Sequence, residues 1–112
     1  MTHVPGQRIG ERLRGNQWPP LPWMENEKVI EAPADRSQMT QPETAAALKF
    51  IATNKDEPFF LYLSHNMPGR SQQPFSSEHF RDKSRHGAWG DAVKEIDWAV
   101  GQIFTALKKH KI

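Results

Sequence analysis

Residues 58–100 read PFFLYLSHNMPGRSQQPFSSEHFRDKSRHGAWGDAVKEIDWAV, and the order of elements in this stretch decides the fold. Phe59 to Leu63 is a near-continuous apolar run bounded by Pro58 and His65. Such a run predicts a central strand buried on both faces. Residues 64–75 are rich in turn formers and predict a loop. Ser77 is expected to cap one helical turn through Glu78, His79 and Phe80. A long helix follows, from about Gly87 or Trp89 to Lys109. Its apolar residues Trp89, Val93, Ile96, Val100, Ile103, Phe104 and Leu107 fall on one face, the clearest amphipathic pattern in the chain. That face needs a sheet to cover, and the stretch offers a single strand. A lone strand cannot satisfy both of its edges. The sequence therefore asks for more strands than it contains, and the expectation is a piece of a larger fold.

Upstream, Thr40 and Glu43 have the spacing of a capping box, with Pro42 in the first turn where its missing N–H costs least. A helix is predicted from Thr40 to the Asn54-Lys55-Asp56 stop, with Ala47, Leu48 and Ile51 sharing a face. Met24 to Ala34 is read as a short hairpin, turning at Glu25-Asn26-Glu27 into a strand Lys28–Glu31. Residues 18–23, WPPLPW, favour extended geometry because proline restricts itself and the residue before it. Five of the nine prolines precede residue 34, so the first third is expected to be irregular. Residues 1–16 read as a flexible N-terminal arm and residues 17–112 as the structured part.

Net charge is +2, from 15 Lys and Arg against 13 Asp and Glu. The basic clusters Arg8, Arg12, Arg14 and Lys108, Lys109, Lys111 read as solvated termini, so no nucleic-acid partner is expected. No run reaches the length of a membrane span, and MTHVPGQRIG lacks the apolar core of a signal peptide. The absence of cysteine excludes disulfides and thiolate metal sites without fixing a compartment.

The order Phe59–Leu63, Ser64-His65, Gly90-Asp91 and Glu95-Ile96-Asp97-Trp98, with Leu21-Pro22 and Val29–Asp35 ahead of it, closely resembles the middle of the arylsulfatase family over roughly residues 17–112. The resemblance implies an α/β class and a partial alkaline-phosphatase-like sulfatase fold: one buried strand flanked by two helices, with an irregular N-terminal third. It also implies an enzyme whose formylglycine, made from the cysteine of a Cys-x-Pro-x-Arg motif, attacks the sulfur of a sulfate ester beside a calcium ion. This chain has no cysteine, and the family's early Asp pair and later Asp-Asn pair of metal ligands match no part of it. No metal ligand or bound cofactor is therefore expected here, while calcium is expected for the full-length family enzyme. Members are commonly exported or lysosomal, which leaves the compartment of this chain open.

In the family the loop after the strand reads Pro-His-x-Pro, and its histidine binds the sulfate ester. Here the matching stretch is Pro68–Phe75, and the histidine position falls on Gly69. His65, four residues earlier, is the candidate catalytic imidazole, since an imidazolium stabilises sulfate oxygens and exchanges protons near neutral pH. The alternative is that it holds the strand–loop corner. Arg70 is the candidate substrate-binding cation, a fixed charge that donates no proton usefully. His79 and His86 read as surface histidines. Asp91 and Glu95 share a helical face, with Lys94 and Lys108 as available partners. Asp91 and Asp97 read as structural.

The expected function is thus the central segment of an arylsulfatase-type sulfuric ester hydrolase, inactive alone because nucleophile and metal ligands are absent. A truncated, split or mis-called gene would produce it. Its partners would be the missing sulfatase segments or a second copy, with a sulfate ester only in the full-length enzyme. The alternative is a stand-alone, non-catalytic binding or interaction protein derived from the same scaffold.

Overall fold

The N-terminal third builds a hairpin because Asn26 accepts a left-handed backbone, with φ 55°, and lets the chain reverse in two residues. Strand β1 (Trp23–Glu25) pairs antiparallel with β2 (Lys28–Glu31), in the register Met24 with Val29 and Glu25 with Lys28. The Ala34 N–H donates to the Leu21 carbonyl at 2.7 Å and closes the base of the hairpin. These features belong to a computed structural model that describes residues 20–69 and 74–112. The expected arm 1–16, residues 18 and 19 of the WPPLPW segment, and Arg70 lie outside the described residues.

After the hairpin, Asp35 accepts hydrogen bonds from the Ser37 backbone N–H at 3.0 Å and its hydroxyl at 2.6 Å, capping a 3-10 helix, Arg36–Gln38. This helix runs directly into α1 (Thr40–Asn54). The expected capping box is not formed. Met39 occupies the cap position in helical geometry, with φ −77° and ψ −49°, so no extended residue precedes the helix for a side chain to cap. Thr40 is buried inside the first turn, and Glu43 uses its side chain elsewhere.

Helix α2 (Gly87–His110) packs against α1. The buried stripe of α1 is Thr40, Thr44, Ala47 and Ile51; that of α2 is Asp91, Ala92, Glu95 and Ala99. Thr44, Ala47, Ala92 and Ala99 among them are small, which lets helices approach closely. A small core of Ala34, Met39, Met67 and Ala92, flanked by Trp23, Phe75 and Ile96, ties the helices to the hairpin base. At its end α2 turns left-handed at Lys111, with φ 60°, whose N–H returns to the last-turn carbonyls. The basic cluster Lys108, Lys109 and His110 therefore sits where it complements the helix dipole.

Two expectations need correction. Residues 58–66 belong to no helix or strand; their burial alternates residue by residue, as in an extended chain, yet no ladder joins them to a neighbour among the described residues, and they are not buried on both faces. Phe59, Leu61 and Leu63 are half-buried; the Phe59 ring meets Phe50 edge-on at 5.5 Å. Phe60 and Tyr62 are 86% and 78% exposed. The segment has the alternation of a strand covered on one side only, because the β-pair in the described residues is committed to the hairpin. Likewise, the large apolar stripe of α2 covers no sheet: Trp89, Val93, Val100 and Phe104 are exposed. The residues this helix buries are Asp91, Ala92, Glu95 and Ala99 instead, on another side of the helix. The fold is an α/β mixture of two helices and a two-stranded sheet. No described helix is long and apolar enough to cross a membrane.

Candidate functional site

The end of the extended segment carries the polar cluster of greatest interest. Helix α1 presents Glu43 in its first turn, across from His65 and Asn66. Asn66 donates its side-chain N–H to Glu43 Oε1. His65 Nδ1 lies 3.6 Å from Glu43 Oε2, just beyond hydrogen-bonding range. Both atoms are buried without another partner among the described residues. A protonated His65 would close this gap as an ion pair. The geometry makes His65 a corner brace between the extended segment and α1.

Beyond the corner, Gly69 has φ +60°, the left-handed region that disfavours any side chain. A Cβ there would also lie 3.3 Å from the Asn66 carbonyl oxygen. The position that matches the family histidine is therefore shaped for glycine. His79 and His86 are exposed. His79 stacks edge-on against Phe80 at 4.9 Å and, with Lys83, Lys94, Asp97 and Trp98, lines a shallow groove.

The loop from residue 74 to residue 86 is held onto α2 by the two helical carboxylates. Asp91 accepts the N–H of Ser84 at 2.8 Å and of Asp82 at 2.9 Å. The Ser84 bond, foremost, holds the Asp91 carboxyl below its ordinary range against the opposing effect of burial. Glu95 is 1% exposed. Its Oε2 accepts the Ser77 N–H at 2.9 Å and its Oε1 the Gln41 amide at 2.9 Å. Ser77 does not cap by its hydroxyl, which is unpaired among the described residues; its carbonyl instead accepts the N–H groups of Phe80 and Arg81. Lys94 reaches the Lys83 carbonyl at 2.8 Å instead of pairing with either carboxylate.

These contacts bear on metal binding. Among the described residues no three His, Asp or Glu side chains converge on one point, and the Asp91 and Glu95 oxygens already accept backbone or amide protons. The described residues do not fit a calcium ion.

The shared face of Asp91 and Glu95 was legible from their spacing, but their backbone partners were not, since those come from a loop without periodicity. Glu43 as partner of His65 had no local signal, because 22 positions separate them. Arg36 was also missed. It is half-buried in the 3-10 helix, its guanidinium carbon 5.3 Å from the centre of the Phe75 ring, and burial lowers its pKa.

No family model matches the chain. Curated relatives do. Human (Homo sapiens) steryl-sulfatase is 40% identical over 89 residues, covering 80% of this chain and 15% of the relative. The arylsulfatase of Hemicentrotus pulcherrimus is 36% identical over 87 residues, 78% of this chain and 15% of its own. Mouse (Mus musculus) N-acetylgalactosamine-6-sulfatase is 36% identical over 81 residues, 70% of this chain and 15% of its own. The chain thus spans about one-seventh of the length of these relatives. Several sulfatases match at 30–40% identity over most of this chain, and the chain belongs to the sulfatase family.

Proposed function

We propose that this chain is a central segment of an arylsulfatase-type sulfuric ester hydrolase and acts there as scaffold rather than as the source of the chemistry. The observation that carries this reading is the segment 58–66, half-buried on one side and without a ladder partner among the described residues, ending at a braced polar corner. In an alkaline-phosphatase-like fold it would be one strand of the central sheet. Helices α1 and α2 would cover that sheet, and the exposed stripe of α2 would meet its neighbouring strands. The loop after His65 would form one wall of the substrate pocket.

In that setting Glu43 orients the His65 ring, and a protonated His65 would offer charge-assisted hydrogen bonds to sulfate oxygens. Arg70, five positions on in the sequence, would supply a fixed positive charge. The sequence has no cysteine, so the formylglycine nucleophile of the family and its calcium would come from other segments of a full-length enzyme. A steryl or aryl sulfate ester is the substrate class this reading assigns to that enzyme.

Alone, the chain is expected to hydrolyse no sulfate ester. Incubation of the purified chain with para-nitrophenyl sulfate and calcium should release no more nitrophenol than buffer does. Release that scales with protein concentration would overturn the scaffold reading. The second reading, a stand-alone binding protein, draws support from the glycine-shaped backbone at residue 69. It requires a monomer that unfolds cooperatively.

A further inference from the structure

We propose that an open cavity between the β-hairpin and the start of α1 binds an amphiphilic organic anion, an apolar body with one oxyanion head, and that Arg36 holds the head. The cavity measures about 590 Å³, within the range of small-molecule sites. Leu21, Trp23, Met24 and Met39 supply apolar walls, and Asn66 adds a polar group. Met39 belongs to the core, so this part of the wall is fixed. Leu21 and Met24 are large apolar side chains left exposed, and an apolar ligand would cover them.

The lining carries one charge, the Arg36 guanidinium, and no carboxylate. Among the described residues no carboxylate lies within ion-pair distance of Arg36. It is nonetheless partly desolvated, and burial lowers its pKa. A desolvated cation without a counter-charge is costly, and a ligand oxyanion would offset that cost. The Arg36 guanidinium carbon lies over the Phe75 ring, 5.3 Å from its centre, and a guanidinium offers an oxyanion a planar, two-pronged contact. The site requires neither a nucleophile nor a metal, so it stands apart from the sulfatase reading.

The test is an NMR titration of the full chain with naphthalene sulfonate, which cannot be hydrolysed, and with naphthol as its uncharged counterpart. Saturable shifts are expected at the Trp23 indole and at the Met24 and Met39 methyl groups. Naphthol should bind about tenfold or more weakly, as should the sulfonate to Arg36→Gln, the loss expected for a charge-assisted contact. Arg36→Lys, which keeps the charge without the fork, should fall between, and the helical circular dichroism of both variants should match the parent. Absence of saturable shifts at Trp23 and Met39 would overturn the proposal. So would naphthol, or Arg36→Gln with sulfonate, binding as tightly as the parent binds the sulfonate.

Discussion

Replacing Glu95 by alanine should cost the fold more than any other single change on α2. Glu95 is nearly inaccessible, and its two oxygens join three parts of the chain: Gln41 in the first turn of α1, Ser77 at the start of the loop turn, and α2 itself. Hydrogen bonds to a charged acceptor contribute about 1.5–3 kcal/mol each. Removing both, while orphaning the buried Ser77 N–H, should cost about 3–5 kcal/mol. For a domain of this size that is a large share of the total stability, and it should lower the thermal midpoint by about 10–20 °C. Glu95→Gln is the control. Its carbonyl oxygen still accepts from Ser77, and its amide can donate to the Gln41 carbonyl once that side chain turns over, so the cost should be about 1 kcal/mol. Urea unfolding followed by helical circular dichroism measures both. Adding Gln41→Ala to each should show coupling of about 0.5–3 kcal/mol with Glu95. If Glu95→Ala unfolds within about 0.5 kcal/mol of Glu95→Gln, the cross-brace carries no weight and the reasoning fails.

Asp91 sets a pH dependence. Its folded pKa is depressed below the ordinary 3.8, chiefly by the Ser84 N–H, so the stability it contributes is fully present above about pH 4 and drains away as pH falls through the folded value. Asp91→Asn should be less stable than the parent at neutral pH, and the two midpoints should converge toward pH 2 in an acid titration. Gly90→Ala places a Cβ within 2.8 Å of Ser84 Cβ and 2.9 Å of His86 Cβ, which should cost about 1–3 kcal/mol in the same unfolding assay. Gly69→His, which restores the family residue at that position, should lose about 1–2 kcal/mol from the left-handed backbone rather than gain function. Phe60→Ser with Tyr62→Ser should leave stability within about 0.5 kcal/mol of the parent, because both rings are in solvent.

The helices and the hairpin were legible because each rests on local chemistry. Thr40 to Asn54 stops at polar residues, Asn26 takes the left-handed turn, and α2 follows a sustained period. The family was legible from the order of these elements. The strand was misread because its burial depends on neighbours that lie far along a chain or outside it, and an apolar run cannot reveal whether they are present. The alternation of Phe59, Leu61 and Leu63 against Phe60 and Tyr62 was open to view, but every residue in the run is apolar, so period two left no mark in hydropathy. Capping failed for a local reason: the 3-10 turn feeds Met39 into α1 in helical geometry. The corner of Glu43, His65 and Asn66 and the loop contacts of Asp91 and Glu95 join residues that only the folded chain brings together.

Residues 59–65 are proposed to pair as a strand with other segments of a full-length enzyme, whereas α1 and α2 are folded within this chain. Amide hydrogen exchange of the isolated chain measures this residue by residue. The amides of Phe59 to His65 are expected to exchange at close to the unprotected rate, while the interiors of α1 and α2 are protected. Protection across 59–65 equal to that of the helices would mean that the strand is already paired, and would contradict this proposal.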